Sequence, residues 1–254
     1  MMRSVLVTGS NRGIGLELIK KFVANPQPPE KIFATCRNPE GPRCEELRTL
    51  ASEHKNIVLL PLDATDVDSV RGAAIEVEKH LSGSGLNLLI NNAGVMSRIN
   101  MEKVDADDMI DTFKINVVGP MQVTQAFYPL LKKAAEENAR EPFSCRKAAV
   151  VNMSSVLGSV EKTSVTFEFE KQVISYRISK AALNMLTRLQ AESYRKDGVL
   201  CTALHPGWVK TDMGTERALL TTDESTTAIM KVLGSLSEKQ NGILVSWDGS
   251  VIPW

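Results

Sequence analysis

Tyr176 and Lys180, in the run Tyr176-Arg177-Ile178-Ser179-Lys180, are the residues with the clearest chemical use in the chain. A spacing of four residues places both side chains on the same face of a helix. A fixed ammonium beside a phenol favours the phenolate, and we therefore expect the pKa of Tyr176 to fall below its usual value of about 10. The pair predicts acid–base chemistry centred on Tyr176, although the same spacing also occurs by chance in unrelated helices.

Two adjacent serines, Ser154 and Ser155, follow an apolar run that begins at Ala148 and has the composition of a buried strand. In an open α/β sheet, ligands bind beyond the carboxyl ends of the strands, which is where these serines lie. A serine hydroxyl at this position would hold a carbonyl oxygen while Tyr176 protonates it. On this argument alone both serines are candidates.

A glycine-rich turn between Thr8 and Gly15 follows the first strand-like run and opens a helical pattern. Glycines at such a place let the backbone approach a pyrophosphate at a helix N-terminus. The spacing is G-x-x-x-G-x-G instead of the commoner G-x-G-x-x-G, and a purely structural turn is the alternative. The strand-turn-helix context favours a dinucleotide site, with the candidate binding residues Gly9, Ser10, Asn11, Arg12, Gly13, Ile14 and Gly15.

The residues after the second strand-like run distinguish the two nicotinamide cofactors. Sites for NAD place an acidic residue there to hold the ribose 2′-hydroxyl, whereas this chain continues Ala34-Thr35-Cys36-Arg37. Guanidinium groups at Arg37 and at Arg12 suit the 2′-phosphate of NADP(H), because charge-assisted hydrogen bonds to phosphate are strong. The alternative is that both arginines are solvated loop charges.

The order of apolar runs predicts the architecture. Seven short β-rich runs alternate with longer helical patterns, which indicates an α/β fold: a single Rossmann-type doubly wound domain, with a seven-stranded parallel sheet and helices on both faces. Helical spacing predicts one long helix from Asp105 to Ala139, adjusted at Gly119-Pro120, and a second from about Ile174 to Lys196. The predicted strands are residues 4–7, 31–36, 57–62, 86–90, 148–153, 199–204 and 243–245.

Composition restricts the function classes. The 254 residues are 43% hydrophobic and 24% charged, as in an ordinary globular protein, and 30 basic residues balance 30 acidic ones. This balance favours neither nucleic acid nor an anionic membrane as a partner. Four cysteines without a C-x-x-C pair predict neither a metal site nor a disulfide framework. The chain has no apolar run of about 18 residues, and we expect a cytoplasmic protein.

Taken together, the motifs resemble those of the short-chain dehydrogenases/reductases over the whole chain. In the family's order the chain contains the glycine-rich turn, Leu62-Asp63, Asn91-Asn92-Ala93-Gly94, Asn116-Val117-Val118-Gly119, Ser155-x-x-Gly158, Tyr176-x-x-x-Lys180 and His205-Pro206-Gly207. The residues after Ser155, the run Pro206 to Met213 and the ending Asp248 to Trp254 look most like the sniffer and C-factor-type carbonyl reductases. The resemblance implies one domain over 1–254, with an NADP-binding half of about 1–150 and a catalytic half of about 151–254.

The resemblance also implies roles for individual residues. Asp63 with Ala64 would contact the adenine; Asn92, Ala93 and Gly94 would line the central part of the cofactor; Pro206, Gly207, Val209 and Thr211 would border the nicotinamide; and Asn116, Ser155, Tyr176 and Lys180 match the catalytic four. Ser155 is preferred to Ser154 because it is followed by Val156-Leu157-Gly158, as in the family motif. Lys180 would also bind the nicotinamide ribose, and Asn116 would anchor a water that returns protons to Lys180.

The implied reaction is NADPH-dependent reduction of a small carbonyl compound, with Tyr176 as proton donor. One alternative is a regulatory or signalling protein that binds NADP(H) with little turnover. A second is an NAD-dependent alcohol dehydrogenase, and a third is a structural partner protein. Family members also pair through helices like those beginning near Asp105 and Ile174, which makes a homodimer or homotetramer a further expectation.

The stretch between Ser155 and Tyr176 is longer than is usual in the family. The alternation of Val165, Phe167 and Phe169 in this stretch predicts an extended segment. Two interpretations are open: a small lid over the substrate pocket, or an edge strand or hairpin packed on the body of the domain. His205 precedes Pro206, and we expect it to shape that turn and take no part in acid–base chemistry.

Overall fold

The computed structural model describes residues 2–167 and 172–254, and within them one twisted sheet forms the centre of the molecule. Its strand order is β3-β2-β1-β4-β5-β6-β7-β8, in which β1 to β7 are parallel and β8 is antiparallel to β7. The strands are β1 Ser4–Thr8, β2 Lys31–Cys36, β3 Ile57–Pro61, β4 Leu88–Asn91, β5 Ala149–Met153, β6 Leu200–His205, β7 Leu244–Ser246 and β8 Val251–Ile252.

The seven predicted parallel strands are confirmed, and each lies within two residues of its predicted position. The structure adds the short strand β8, which the sequence analysis missed. Gly249 has a φ of 87° and turns the chain back after β7, so that Val251 pairs with Val245 and Ile252 with Leu244. Two residues are too few to show the alternation by which a strand is recognised.

Helices cover both faces of the sheet. They are α1 Gly13–Val23, α2 Glu45–Glu53, α3 Val67–Leu81, α4 Ala106–Phe113, α5 Gly119–Glu137, α6 Thr163–Phe167, α7 Ile174–Tyr194 and α8 Thr222–Ser235. Successive strand residues point to opposite faces. Val5 and Val7 accordingly join a core cluster with α1, α2 and α8, whereas Leu6 joins the opposite cluster, which contains side chains from α3 and α5.

The long helix predicted from Asp105 is interrupted. A π-helical turn, Lys114–Val118, separates α4 from α5, and the N–H of Gly119 donates to the carbonyl of Lys114, five residues back. Pro120 explains the change of pattern, because it has no N–H to donate to the carbonyl of Asn116, four residues earlier. The adjustment predicted at Gly119-Pro120 therefore lies in the turn just before it, and that turn contains Asn116.

The segment between Ser155 and Tyr176 is helical where the structure describes it. Val165 and Phe167 lie in the short helix α6, so the prediction of an extended, alternating segment is wrong for these two residues. Phe169 lies outside the described residues. A run of five residues is too short to distinguish a helical from an alternating pattern, which is why the prediction failed.

The remaining sequence features can be placed briefly. None of the helices in the described part of the chain has the length and apolar character needed to cross a membrane. The four cysteines are all buried and free, and the Sγ atoms of Cys36 and Cys44 lie 3.6 Å apart. Burial raises the pKa of Cys36 to about 12, which keeps this thiol protonated at neutral pH.

Candidate active site

The carboxyl ends of β1 and β4 border a crevice at the centre of the sheet. The chain continues from β1 toward β2 on one side and from β4 toward β5 on the other, and ligands bind at such a switch point. The hydroxyl of Thr8 accepts hydrogen bonds from the N–H groups of Asn92 and Ala93, each at 3.0 Å. The glycine-rich turn thus forms one wall of the crevice, and the predicted residues Asn92, Ala93 and Gly94 form the other.

The glycines of the turn permit a tight backbone path that other residues could not follow. Gly9 and Gly13 have φ angles of 67° and 55°, a conformation that side chains other than glycine rarely adopt. A Cβ at Gly15 would lie 2.2 Å from the carbonyl oxygen of Gly9, so no side chain fits there. The first N–H groups of α1 have no acceptor within the helix. Together these features form a cradle for a phosphate group.

Other residues of the turn have different surroundings. Ser10 is fully buried, and its hydroxyl donates to the carbonyl of Val7 at 2.7 Å, so this side chain holds the turn to β1. The side-chain amide of Asn11 donates to the carbonyl of Arg43 at 3.4 Å. Ile14 packs against the core beneath α1. A cavity of about 590 Å³ opens beside the turn, and its lining includes Asn11, Arg12, Gly13, Arg43 and Asp212.

The two arginines predicted to bind a 2′-phosphate are both exposed. The guanidinium of Arg12 forms an ion pair with Asp212, which lies on the loop after β6. Arg37 lies near Asp63: burial acts to raise the pKa of Asp63, but hydrogen bonds from Thr65 and the charge of Arg37 lower it below its usual value. Each arginine therefore has an acidic neighbour that is distant in sequence.

Asp63 and Ala64, predicted to lie against the adenine, follow β3. One carboxylate oxygen of Asp63 accepts hydrogen bonds from the backbone N–H and the hydroxyl of Thr65, at 2.9 Å and 2.7 Å. Ala64 packs closely against the start of α5, since a Cβ at Gly119 would lie 3.1 Å from the Cβ of Ala64. These contacts fix the loop after β3 at the same edge of the sheet as the glycine-rich turn.

The structure separates the two candidate serines. The hydroxyl of Ser154 donates to the side-chain carbonyl of Asn184 at 2.6 Å and is directed toward α7. The hydroxyl of Ser155 accepts a hydrogen bond from the N–H of Leu157 at 3.1 Å and interacts with the phenol of Tyr176, whose pKa it acts to lower. The arrangement therefore brings Ser155, and not Ser154, together with the phenol.

Tyr176 and Lys180 lie in the first two turns of α7 and are both buried. The ammonium of Lys180 is 5.5 Å from the centre of the Tyr176 ring, and it donates to the carbonyl of Met153 at 2.7 Å. Burial raises the pKa of Tyr176 to about 12, while the hydrogen bond with Ser155 acts in the opposite direction. The expectation of a lowered pKa for Tyr176 is therefore wrong, because desolvation of the phenolate dominates.

The pKa of Lys180 is shifted in the opposite direction to that of Tyr176. Burial lowers the pKa of its ammonium to about 8, because removal from water disfavours the charged form. At neutral pH the structure therefore combines a protonated phenol with an ammonium that is still mostly charged. This combination is suited to donating a proton from Tyr176.

Asn116 lies at the same place through the π-helical turn. Its side-chain oxygen accepts from the N–H of Val95 at 2.9 Å, and its amide nitrogen donates to the carbonyl of Val95 and the hydroxyl of Ser179, at 2.9 Å and 3.0 Å. A Cβ at Gly94 would lie 3.1 Å from this oxygen and 3.7 Å from the nitrogen of Lys180. Asn116 therefore fixes the loop after β4 next to Lys180.

The loop after β6 contains the residues predicted to border the nicotinamide. Gly207 turns the chain with a φ of 86°, and Val209 forms a β-bridge with Leu220 that closes the loop. Pro206 is held by its carbonyl, which accepts from the hydroxyl of Ser225 at 2.6 Å. The methyl group of Thr211 lies 3.3 Å from where a Cβ of Gly13 would be. The structure thus brings this loop onto the glycine-rich turn.

Three residues of the site were not identified from the sequence. Thr8 joins the two walls of the crevice, Asp212 pairs with Arg12, and Arg98 donates from Nη2 to the carbonyl of Met213 at 3.0 Å. Thr8 directly precedes the glycine-rich turn, so its position was a usable signal. Asp212 and Arg98 gain their contacts only in the folded chain.

His205 is neutral at pH 7, because burial lowers its pKa to about 4 while the charge of Asp248 opposes this shift.

Comparison with known proteins identifies the family. A family model described as short chain dehydrogenase matches residues 3–219. The chain belongs to the short-chain dehydrogenase family. The NADPH-bound carbonyl reductase from chicken fatty liver is 49% identical, with a TM-score of 0.95 over 100% of this chain and 99% of that one. The carbonyl reductase Sniffer of D. melanogaster is 40% identical, with a TM-score of 0.95 and complete coverage of both chains.

A further relative supports the same subgroup of the family. The C-signal of Myxococcus xanthus is 34% identical over 170 residues, which are 66% of this chain and 93% of that protein. The predicted resemblance to the sniffer and C-factor-type members of the family is therefore confirmed.

Proposed function

We propose that the protein is an NADPH-dependent carbonyl reductase that converts ketones, aldehydes or quinones to alcohols, with Tyr176 as the proton donor. The observation that carries this proposal is the grouping of three side chains. The hydroxyl of Ser155 interacts with the phenol of Tyr176 and acts to lower its pKa, and the ammonium of Lys180 lies 5.5 Å from the Tyr176 ring. This group lies beyond the carboxyl end of β5, at the edge of the sheet that carries the phosphate cradle.

The crevice fits NADPH, which supplies the hydride when it is bound. Without side chains at Gly9 and Gly15 the turn packs closely on Ala93 and on its own backbone, and the N-terminus of α1 offers N–H donors to the pyrophosphate. Arg12 and Arg37 are assigned to the 2′-phosphate. The ion pair of Arg12 with Asp212 is exposed and contributes about 0–1 kcal/mol, so a phosphate can compete for this guanidinium. The bound NADPH of the chicken enzyme supports this assignment.

The remaining cofactor contacts are proposed from the family pattern and the positions described above. Asp63 and Ala64 are assigned to the adenine, and Asn92, Ala93 and Gly94 to the centre of the cofactor. The loop after β6, with Pro206, Gly207, Val209 and Thr211, is assigned to the nicotinamide. Their placement along one edge of the sheet supports this order.

The proton steps follow from the burial of the site. Tyr176 is protonated at neutral pH and donates its phenolic proton to the carbonyl oxygen of the substrate. The hydroxyl of Ser155 donates a hydrogen bond to the same oxygen and stabilises the developing charge. Lys180 remains charged below its pKa of about 8, and its field stabilises the phenolate that is left. Asn116 is assigned to the relay that returns a proton to Lys180.

A substrate panel tests the proposal. The purified protein is incubated with NADPH or NADH and with quinones, aldehydes and ketones, while loss of the reduced nicotinamide and formation of the alcohol are measured. We expect equal amounts of NADPH consumed and alcohol formed with at least one carbonyl class. Binding of NADPH without turnover across the panel would instead identify a regulatory protein, and a preference for NADH would identify an NAD-dependent dehydrogenase.

A further inference from the structure

The side chain that follows the proposed proton donor holds the segment between Ser155 and Tyr176. Arg177 is only 7% exposed, although it is an arginine. Its Nη1 donates to the hydroxyl of Thr166 and its Nη2 to the carbonyl of Thr166, both at 2.8 Å. The guanidinium carbon also lies 5.7 Å from the centre of the Phe167 ring, within the range of a cation–π contact. Arg177 therefore attaches the last turn of α6 to the first turn of α7.

Helix stability does not account for an arginine at this position. A cation in the first turn of a helix faces the positive end of the helix dipole, which is unfavourable. Burial of a guanidinium is also costly unless its donors are hydrogen-bonded. Two N–H donors on one planar group fix both the distance and the orientation of α6, which a lysine with its single ammonium does not do equally well. The geometry is that of a clamp between two segments.

The other end of the same segment is fixed to the strand β8 region. The hydroxyl of Ser159 donates to the carbonyl of Pro253, and the N–H of Glu161 donates to the carbonyl of Trp254 at 2.9 Å. The hydroxyl of Thr163 donates to the carbonyl of Ser159 at 3.1 Å. α6 is therefore supported at both ends, with the Arg177 clamp at the end that leads to Tyr176.

We infer that Arg177 is a positioning residue that sets the substrate range by holding α6 as a wall of the carbonyl pocket. This inference rests on the proposed function. Thr166 is hydrogen-bonded to the residue that follows Tyr176 in the chain, so α6 is attached directly to the turn of α7 that carries the proposed proton donor. Val165 on α6 is 65% exposed, and an apolar substrate would cover it. The substrates that would depend on the clamp are bulky, apolar carbonyl compounds.

Steady-state kinetics of three variants test the inference. Arg177→Met removes both hydrogen bonds to Thr166, Arg177→Lys keeps the charge but on a single donor nitrogen, and Thr166→Val removes one of the two acceptors. Arg188→Met is the matched control, since Arg188 lies on the same helix with a side chain that is 49% exposed and pairs with Glu192. The substrates are phenanthrenequinone, which is bulky, and propanal, which is small, and NADPH binding is measured separately by fluorescence.

We expect Arg177→Met to raise KM for phenanthrenequinone about tenfold, the size of effect that one pocket contact provides, with little change in kcat. KM for propanal and the affinity for NADPH should stay close to the wild-type values. Arg177→Lys should raise KM for phenanthrenequinone less than Arg177→Met does. Thr166→Val should give a KM between those of Arg177→Met and the wild type. Arg188→Met should have the wild-type KM. An equal change for both substrates, or none for either, would overturn the inference.

Limited trypsin digestion provides a readout that does not depend on turnover. Lys162 lies just before α6, and Arg177→Met should speed cleavage after Lys162, whereas Arg188→Met should not. Cleavage at the wild-type rate would overturn the clamp. If the wild type reduces no carbonyl at all, the proposed function fails, and the digestion still decides whether Arg177 holds α6. If Arg177→Met does not fold, the kinetics and the digestion are carried out on Arg177→Lys and Thr166→Val.

Discussion

The crevice around the glycine-rich turn and the segment before Tyr176 are held by different kinds of contact. In the crevice the backbone makes the decisive approaches: Gly9 and Gly13 have positive φ angles, and Gly15 has no room for a side chain. In the segment before Tyr176 the decisive contacts come from side chains, above all the two hydrogen bonds of Arg177 to Thr166. A region of the first kind is damaged by adding atoms, and a region of the second kind by removing them.

The two regions should therefore differ in how many sequence changes they tolerate. The turn tolerates almost no substitution at its glycines, because Gly9 and Gly13 have positive φ angles and a Cβ at Gly15 would collide with the carbonyl oxygen of Gly9. A segment held at a few points, such as the Arg177 contacts with Thr166, can change its length and sequence while the sheet and the cradle remain in place. If the proposals above hold, cofactor binding and substrate range depend on parts of the molecule that can change independently.

The largest effect is expected from Tyr176→Phe, which removes one oxygen atom from the side chain at the end of the second region. We expect kcat for carbonyl reduction to fall about 10²- to 10⁴-fold, the usual contribution of a general acid, while NADPH affinity is unchanged. Single-turnover kinetics and fluorescence titration measure the two quantities. Tyr194→Phe, on the same helix, is the control, and undiminished reduction by Tyr176→Phe would remove the assignment of Tyr176.

The next effect is expected from Gly15→Ala, which adds one atom to the backbone-built region. A Cβ there would lie 2.2 Å from the carbonyl oxygen of Gly9. We expect a loss of about 1–3 kcal/mol in the free energy of unfolding from this overpacking. NADPH affinity should fall by about ten- to a hundredfold, the binding equivalent of the same energy. Thermal unfolding and NADPH titration provide the measurements.

Gly72→Ala is the matched control, because no atom lies within 4 Å of a Cβ at Gly72 in α3. This variant should be more stable than the wild type by about 0.5–1 kcal/mol, since alanine is a better helix former than glycine. Equal behaviour of Gly15→Ala and Gly72→Ala would contradict the backbone cradle.

A smaller effect is expected from Arg37→Ala, which tests a side chain at the edge of the crevice. A hydrogen bond to a charged group contributes about 1.5–3 kcal/mol, and the exposure of Arg37 favours the lower end, so NADPH affinity should fall about tenfold. The affinity for NADH, which lacks the 2′-phosphate, should not change. Arg71→Ala on α3 is the control, and equal losses for both cofactors would exclude Arg37 from the 2′-phosphate site.

The smallest effect is expected from pH, through the two buried groups of the site. Lys180 is charged below its pKa of about 8 and neutral above it, whereas Tyr176 stays protonated up to about 12. Reduction needs the charged lysine, so kcat/KM should be full below pH 7 and decline as the pH rises through 8. Between pH 7 and 8.5 the expected decline is about fourfold for a single group of this pKa. A profile that is flat up to pH 10 would show that Lys180 does not control the proton transfer.

The sequence predicts the backbone-built part of the molecule well, because its signals are local. Short apolar runs and glycine spacing placed the parallel strands and the turn between Thr8 and Gly15. The position of Ser155 over Ser154 followed from a family motif, and the structure supplies the physical difference through Asn184. Each of these features was predicted from a sequence pattern that spans only a few neighbouring residues.

The remaining features depend on contacts between distant residues. The spacing of Tyr176 and Lys180 predicted a lowered phenol pKa, but it contains no information on burial, which reverses the shift. The ion pair of Arg12 with Asp212 joins residues that are far apart in the sequence. The period of α6 was misjudged because five residues are compatible with two patterns, and its orientation depends on Arg177.

The hairpin formed by β7 and β8 affects how the protein behaves at high concentration. A sheet that ended at β7 would offer the backbone groups of Leu244–Ser246 to the strand of another molecule. Val251 and Ile252 occupy this edge within the same chain, and the N–H of Ser246 donates to the carbonyl of Ser250 at 2.8 Å. A strand of two residues is too short to recruit a further one. At the opposite edge, Pro61 at the end of β3 lacks an N–H, which removes one donor from that border of the sheet.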